Sequence, residues 1–418
     1  MSAAHPLAPS SAIAHAMTAS PSESSSSTSK TEPLLVRLGV RYFESLSSKV
    51  RPVEALDAIH LLNESERAAL RRIERGAIVR AAIAGGISTI IAGAVEVGVA
   101  MPLLGHEHDL TFHDHLRFYA IVGAATVVTS VIEILYLYWD GLRAVHRLSH
   151  EAGLDLFPHQ DDDNALAGAM ARAALELPNP TTSLFGVDPR REASRLRLFA
   201  ASIVYKLKVS VTNFLIKALV RRMLGRAFVR GWLPFVAVPV TAAWNAFVCW
   251  LIMREARIRA MGPSAAKEMI DIAFDGNRPL SPPAKAAVLR AVASSIVRTE
   301  DLHPNLAALL HEIALRVHEV ERLNPRERLE ARDDGGDLDD SRAFLSCLAR
   351  LGRAEQTVVL RVLAIASIID GRLTRAEKRL LCEARSLCGL DPDLAGVERL
   401  RREFIDGAPI DPQRILTL

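Results

Sequence analysis

Long uninterrupted apolar runs, rather than alternation, organise the front of this chain. From Ala81 to Leu104 (AAIAGGISTIIAGAVEVGVAMPLL) one residue in 24 is ionisable, Glu96, and from Phe118 to Tyr138 (FYAIVGAATVVTSVIEILYLY) one in 21, Glu133. A bilayer crossing takes about 20 such residues as a helix, so each run is long enough to span. The pattern predicts a transmembrane hairpin, with helices over 81–104 and 118–139 and a turn over 105–117. Upstream, residues 31–80 read as a helical segment. Asn63 three residues before Glu66 has capping-box spacing ahead of the first span. Downstream, Gly141 to Leu156 continues as a helix. The linker 140–189 then breaks at HQDDDN (His159 to Asn164) and at LPNPTTSLFGVDP (Leu177 to Pro189), and the second break is the expected domain boundary.

Beyond it, 190–278 changes character. Eleven Lys or Arg residues and one carboxylate, Glu192, lie between Arg190 and Arg230 in an apolar background. Lys206, Ser210, Asn213, Lys217 and Arg221 recur at helical spacing opposite Ile203, Leu207, Phe214 and Leu219, which predicts a basic amphipathic helix. Beside a membrane hairpin its expected partner is the anionic headgroup layer, rather than nucleic acid or only water. Trp232 to Met253 then carries no charge in 22 residues. Pro234 and Pro239 are expected to break its first turns, so 232–253 is read as a re-entrant or interfacial hairpin or a helix packed on the spans. A third crossing is the remaining alternative. Residues 279–418 predict a soluble helical bundle interrupted by the acidic run DDGGDLDD (Asp333 to Asp340). No convincing period-two stretch appears. The fold class is therefore all-α: a transmembrane hairpin, a basic amphipathic layer and a C-terminal bundle.

Composition and charge sharpen this picture. Half the residues are apolar, yet net charge is only +3. Arg67, Arg71, Arg72, Arg75 and Arg80 precede the first span, Arg143 and Arg147 follow the second, and the connecting turn has no basic residue before Arg117. The positive-inside rule places both flanks, and both termini, in the cytoplasm of a bacterial inner-membrane protein, with the turn outside and Tyr136, Tyr138 and Trp139 at the inner interface. Residues 1–30, rich in Ser, Ala and Pro, have no positive n-region or apolar h-region. They predict a disordered tail and leave the first span as an uncleaved insertion signal. Cys249, Cys347, Cys382 and Cys388 have no zinc or disulfide spacing and read as buried thiols.

Three features carry candidate chemistry. His106, His108, His113 and His115 crowd the external turn with Glu107, Asp109 and Asp114, a donor set suited to a divalent transition metal or to a pH-responsive patch. A short external turn is polar in any case, so a solvated turn is the plain alternative. Glu96 and Glu133 are intramembrane carboxylates, functional by default. At about 1.5 Å per residue they lie about 10 Å apart in depth. They are not expected to pair: Glu96 matches Thr126, whereas Glu133 falls near Ser88 and Thr89, close enough to the inner face to reach headgroups. Both serve as helix-helix glue or, in an oligomer, as part of an ion path. Ala82 with Gly86, and Ala94 with Gly98, are small pairs suited to close helix contact. The third feature is Asp370-Gly371-Arg372-Leu373-Thr374-Arg375-Ala376-Glu377. It matches half a calcium loop, but the first ligand positions fall on Ala366 and Ile368. A left-handed turn at Gly371 and a Thr374/Glu377 capping box account for it more simply.

The stretch from about Leu360 to Asp406 resembles TerB-like, tellurite-resistance-associated helical domains, through its apolar helix, Asp370-Gly371, Glu377, Leu380-Leu381 and Cys388-Gly389-Leu390. That resemblance implies Asp370 and Glu377 as metal contacts. The region from Leu198 to Met261 is similar to EcsC-like membrane-associated proteins at Pro234, Ala237 and Asn245. Neither resemblance implies a settled reaction. No P-loop, G-x-S-x-G, dinucleotide or zinc-hydrolase motif is present. The reading that follows is a non-enzymatic envelope-stress or membrane scaffold, without a resident cofactor unless a divalent metal, whose bundle binds a protein partner or ion. The rival is an oligomeric channel or transporter using Glu96 and the His turn.

Overall fold

A computed structural model describes residues 33–48, 62–100, 102, 112–157, 164–180, 184, 186–191, 233–274, 280–317 and 338–418. The tail 1–30, His106, His108, the basic stretch 192–232 and most of the acidic run lie outside the described residues. Helix α1 is Leu34–Ser47, α2 Glu64–Val95, α3 Phe112–Glu151, α4 Ala165–Ala174 and α5 Leu233–Ala273. The bundle adds α6 Pro282–Thr299, α7 Pro304–Val317, α8 Ser341–Leu348, α9 Arg353–Ala366, α10 Arg375–Leu387, α11 Ala395–Asp406 and α12 Pro412–Leu416. No strand occurs among the described residues.

The expected local signals are realised. Asn63 Oδ1 accepts from the Glu66 backbone N–H while Glu66 Oε2 accepts from that of Asn63, a reciprocal cap that starts α2. From there α2 runs unbroken for 32 residues, which carries it into the first apolar run as far as Val95, and it is followed by a π turn over Glu96–Ala100.

Three helices, α2, α3 and α5, are long and apolar enough to cross a membrane. Their outward faces carry exposed Ile83, Ile87 and Ile90 on α2, Val128, Ile132 and Leu135 on α3, and Phe247 and Trp250 on α5. Contiguous apolar surface on this scale fits acyl chains rather than water. Of the readings of the third apolar stretch, the re-entrant pair is overturned, because α5 is one unbroken helix of 41 residues, packed on α2 and α3 as the other reading has it. Pro234 sits in its first turn, where a missing N–H has no helical partner to lose. Pro239 and Pro263 are accommodated inside, where the remaining ladder bonds hold the helix together.

The second half of α5 enters the C-terminal helical bundle as a core helix. Met253, Ile258, Met269 and Ile270 are buried there in one continuous apolar cluster with Val288, Val292 and Ile296 of α6, Leu306 and Leu310 of α7, and Leu363 of α9. Small residues at Ala284, Ala287 and Ala291 let α6 pack at the centre. The expected boundary near Leu177 is no free linker either: Asn179 is bonded to both Arg259 on α5 and Asp301. Of the cysteines, Cys249 and Cys388 are buried as expected, whereas Cys347 and Cys382 are half-exposed.

Candidate functional site

Two polar layers sit on α5, one between the spans and one just below them. In the upper layer α2 and α5 run antiparallel, as Thr89 bonding Thr241 (2.7 Å) and Gly85 lying against Asn245 require. Glycine at position 85 lets the backbones meet, because a Cβ there would fall 2.6 Å from Asn245 Nδ2 and 3.0 Å from the Thr241 carbonyl. Asn245 Nδ2 donates to Glu133 Oε1 of α3 at 2.7 Å, with both residues only 4% exposed. Ser88 Oγ reaches the Thr129 carbonyl at 3.4 Å. Glu133 therefore does not reach headgroups as the depth argument expected. It is enclosed by all three helices, and an amide on the third one holds it.

The small-residue expectation is also redirected. Gly85 and Gly86 face α5, and a Cβ at Gly98 would meet nothing within 4 Å. Glu96 is half-buried in the π turn. Below this layer Arg80 Nε pairs with Asp140 (2.9 Å) and Arg257 with Glu74 (3.2 Å).

The lower layer is denser. Glu255 Oε1 accepts from Arg259 Nε and lies 3.0 Å from His303 Nε2. The Asn305 backbone N–H donates to His303 Nδ1 (3.2 Å), so the neutral ring carries its proton on Nε2 and donates it to Glu255. Burial pushes the His303 pKa down, which keeps that tautomer. Arg259 also donates to the Ala169 carbonyl (2.6 Å) and to Asn179 Oδ1 (3.0 Å), and Asn179 donates to Asp301 (2.9 Å). Arg372 lies 3.5 Å from Asp301 and 3.9 Å from Glu255.

Asn305 is the pin. Its Nδ2 donates to the carbonyls of Ile258 on α5 (2.9 Å) and of Ile369 in the loop before Asp370 (2.8 Å), tying that loop to the spanning helix. Gly371 turns with φ +74° and offers its carbonyl to Arg254 and Arg401, each at 3.2 Å. A Cβ at Gly371 would collide with Ile258, so both the handedness of the turn and its fit against α5 require glycine.

Asp370 and Glu377 lie in this layer, almost fully buried. Glu377 Oε2 accepts from the Thr374 N–H (2.9 Å), completing the expected capping box, and Oε1 accepts from Ser295 Oγ of α6 (2.7 Å). Asp370 Oδ1 accepts from the Arg372 N–H (2.7 Å). Burial and the neighbouring Glu377 carboxylate push Asp370 up to about 8, and burial pushes Glu377 up to about 7 against the hydrogen bonds of Thr374 and Ser295.

The metal contacts implied by the TerB-like resemblance do not fit this arrangement. Both Glu377 oxygens are engaged within the fold, Arg372 adds a positive charge, and no group of three or more metal-ligand side chains gathers among the described residues. In the turn, His113 is exposed at the start of α3 and His115 lies one helical turn into it.

The sequence pointed to Asp370, Glu377 and Glu133 but missed Asn245 as the partner of Glu133, and missed Glu255, His303 and Asn305 altogether. A lone amide in a charge-free run of 22 residues was the available signal for Asn245. No family model, no curated protein and no solved structure matches this chain.

Proposed function

We propose that this protein is a non-enzymatic scaffold of a bacterial inner membrane, holding its helical bundle in a fixed pose at the cytoplasmic surface, where the bundle binds a partner protein or ion. The supporting observation is α5: one helix passes from the Glu133 layer into the core of the bundle and is bolted there through Asn305, Arg254 and Arg259. A tethered domain would need only a linker. A helix shared between span and core instead fixes orientation, which is what a scaffold requires. The polar residues between the helices also serve this role, since Asn245 bonds Glu133 and Thr89 bonds Thr241, each across a helix pair.

In this reading Leu233 begins α5 at the end of the spans remote from the bundle, whereas Asp188 and Arg191 lie on the bundle against Asp339. Cysteines introduced singly at His113, Leu233, Gly186 and Leu418 test this in intact cells with an impermeant thiol reagent. His113 and Leu233 are expected to label from outside, and Gly186 and Leu418 only after permeabilisation. External labelling of Leu418 would overturn the cytoplasmic scaffold.

A further inference from the structure

Helix α1 has more apolar circumference than its place in the fold uses. At roughly 100° per residue, Val36, Gly39, Val40 and Phe43 form one arc, and all four are buried against the rest of the protein. Leu34, Leu35 and Leu38 form a second arc on the opposite side, 73%, 44% and 58% exposed. The exposed Arg37 and Arg41 fill the flank between them. A surface helix of a soluble domain carries one apolar stripe and is polar elsewhere. Here apolar residues cover well over half the circumference, and the surplus is confined to the first turn and a half.

The contacts of α1 say where that end lies. Gly39 packs on Leu142 of α3, where a Cβ would be 3.3 Å from the leucine methyl, and on Ala171 of α4. Ser47 Oγ lies 3.0 Å from His146 Nε2, and Phe43 stacks near the same ring with centroids 5.9 Å apart. Gly39 thus meets Leu142 and Ser47, eight residues later, meets His146, so the start of α1 is the end directed towards the apolar part of α3. Leu34, Leu35 and Leu38 precede Gly39 and so continue from Leu142 in the direction of Trp139, away from His146. That tryptophan is itself 44% exposed beneath the Arg143 guanidinium, 5.5 Å from its ring centroid, at the base of the exposed apolar face formed by Ile132 and Leu135.

We infer that α1 is an interfacial foot: Leu34, Leu35 and Leu38 insert at the boundary between headgroups and acyl chains of the inner leaflet, with Arg37 and Arg41 against anionic lipid phosphates. The inference rests on the membrane-spanning reading of α2, α3 and α5. The occupant is lipid because the leucine arc is continuous in level with a surface already shaped for lipid, and because its flanking charges are basic. Glu44, the acidic residue on the same flank, sits towards the other end of the helix, away from the spans. A foot of this kind fixes the bundle against rotation about the span axis by adding a second point of attachment.

An environment-sensitive fluorophore tests this on the full chain in vesicles of mixed zwitterionic and anionic phospholipid, with the native cysteines replaced by alanine. It is attached singly at Leu38→Cys, at Val128→Cys on the exposed face of α3, and at Arg399→Cys on the bundle surface. The Leu38 label is expected to emit blue-shifted light and to be quenched by a nitroxide placed high on the acyl chain. The Val128 label is expected to be quenched by one near the chain end, and the Arg399 label only by aqueous iodide. If Leu38 behaves like Arg399 while Val128 is quenched by lipid, the foot is wrong and the spans stand. If Val128 is also quenched only from water, the membrane reading itself fails and takes the foot with it.

Discussion

Replacing Asp370 with Asn should stabilise the protein at neutral and alkaline pH. In the folded chain its carboxyl, buried beside Glu377, holds a proton up to about 8, against 3.8 for an ordinary aspartate. The unfolded chain releases that proton above about pH 4, so between pH 4 and 8 the native state binds more protons and stability falls as pH rises. The contribution is intact below the unfolded value and is lost through the folded one. At pH 7 the gap is about three units, a ceiling of about 4 kcal/mol at about 1.4 kcal/mol per unit. Relaxation around the pair and the nearby Arg372 reduce this, and about 2 kcal/mol is the expected gain. Asn keeps the acceptor for the Arg372 N–H without the ionisation. Thermal unfolding of the full chain in detergent, followed by circular dichroism from pH 4.5 to 8.5, should show the variant level with the parent at the acid end and more stable at the alkaline end. A variant less stable than the parent at pH 8.5 would mean that Asp370 is ionised and held by Arg372, and the argument would fail.

Four further substitutions probe the contacts that α5 makes. Gly85→Val should separate α2 from α5, since even a Cβ meets Asn245 and the Thr241 carbonyl; an overpacking loss of about 1–3 kcal/mol would show as a lower melting temperature and reduced folded yield. Asn245→Ala removes the amide that donates to Glu133 and should cost about 1–2 kcal/mol, whereas Glu133→Gln, which keeps an acceptor for the amide, should stay within about 1 kcal/mol in the same melt. Gly262→Ala drives a methyl into Asn305, and should expose the loop before Asp370 to limited proteolysis while leaving lipid quenching of a Val128 label unchanged. Equal protease resistance in parent and variant would remove Asn305 from its pinning role.

Local features were legible in the sequence because their causes are local. Span length follows from the absence of charge, and the two capping boxes follow from an Asn or Thr three residues before a Glu. The Gly371 turn follows from its place between two helical patterns. What escaped was every bond that depends on which helices become neighbours. Glu133 and Asn245 are 112 positions apart, Glu377 and Ser295 are 82, and His303 and Glu255 are 48. No periodicity encodes such pairs. Placing Glu133 from helix depth alone put it at the headgroups because only two helices were in the calculation, and the third supplies its partner.

The same omission explains the misreading of α5 itself. Proline was treated as a breaker because an isolated helix loses a ladder bond and gains a clash there. Within this fold the helix around Pro263 is supported from outside: Gly262 leaves room for Asn305, and Asn305 donates to the Ile258 carbonyl one turn earlier. Thr241, two residues beyond Pro239, donates to the carbonyls of Gly85, Ala237 and Val238 in shared geometry. Both prolines thus lie beside the positions where another element bonds α5, the upper layer near the first and the lower layer near the second. From Asn245 to Glu255 is about 15 Å of uninterrupted helix, so a displacement of α5 at one layer is delivered to the other without an intervening hinge.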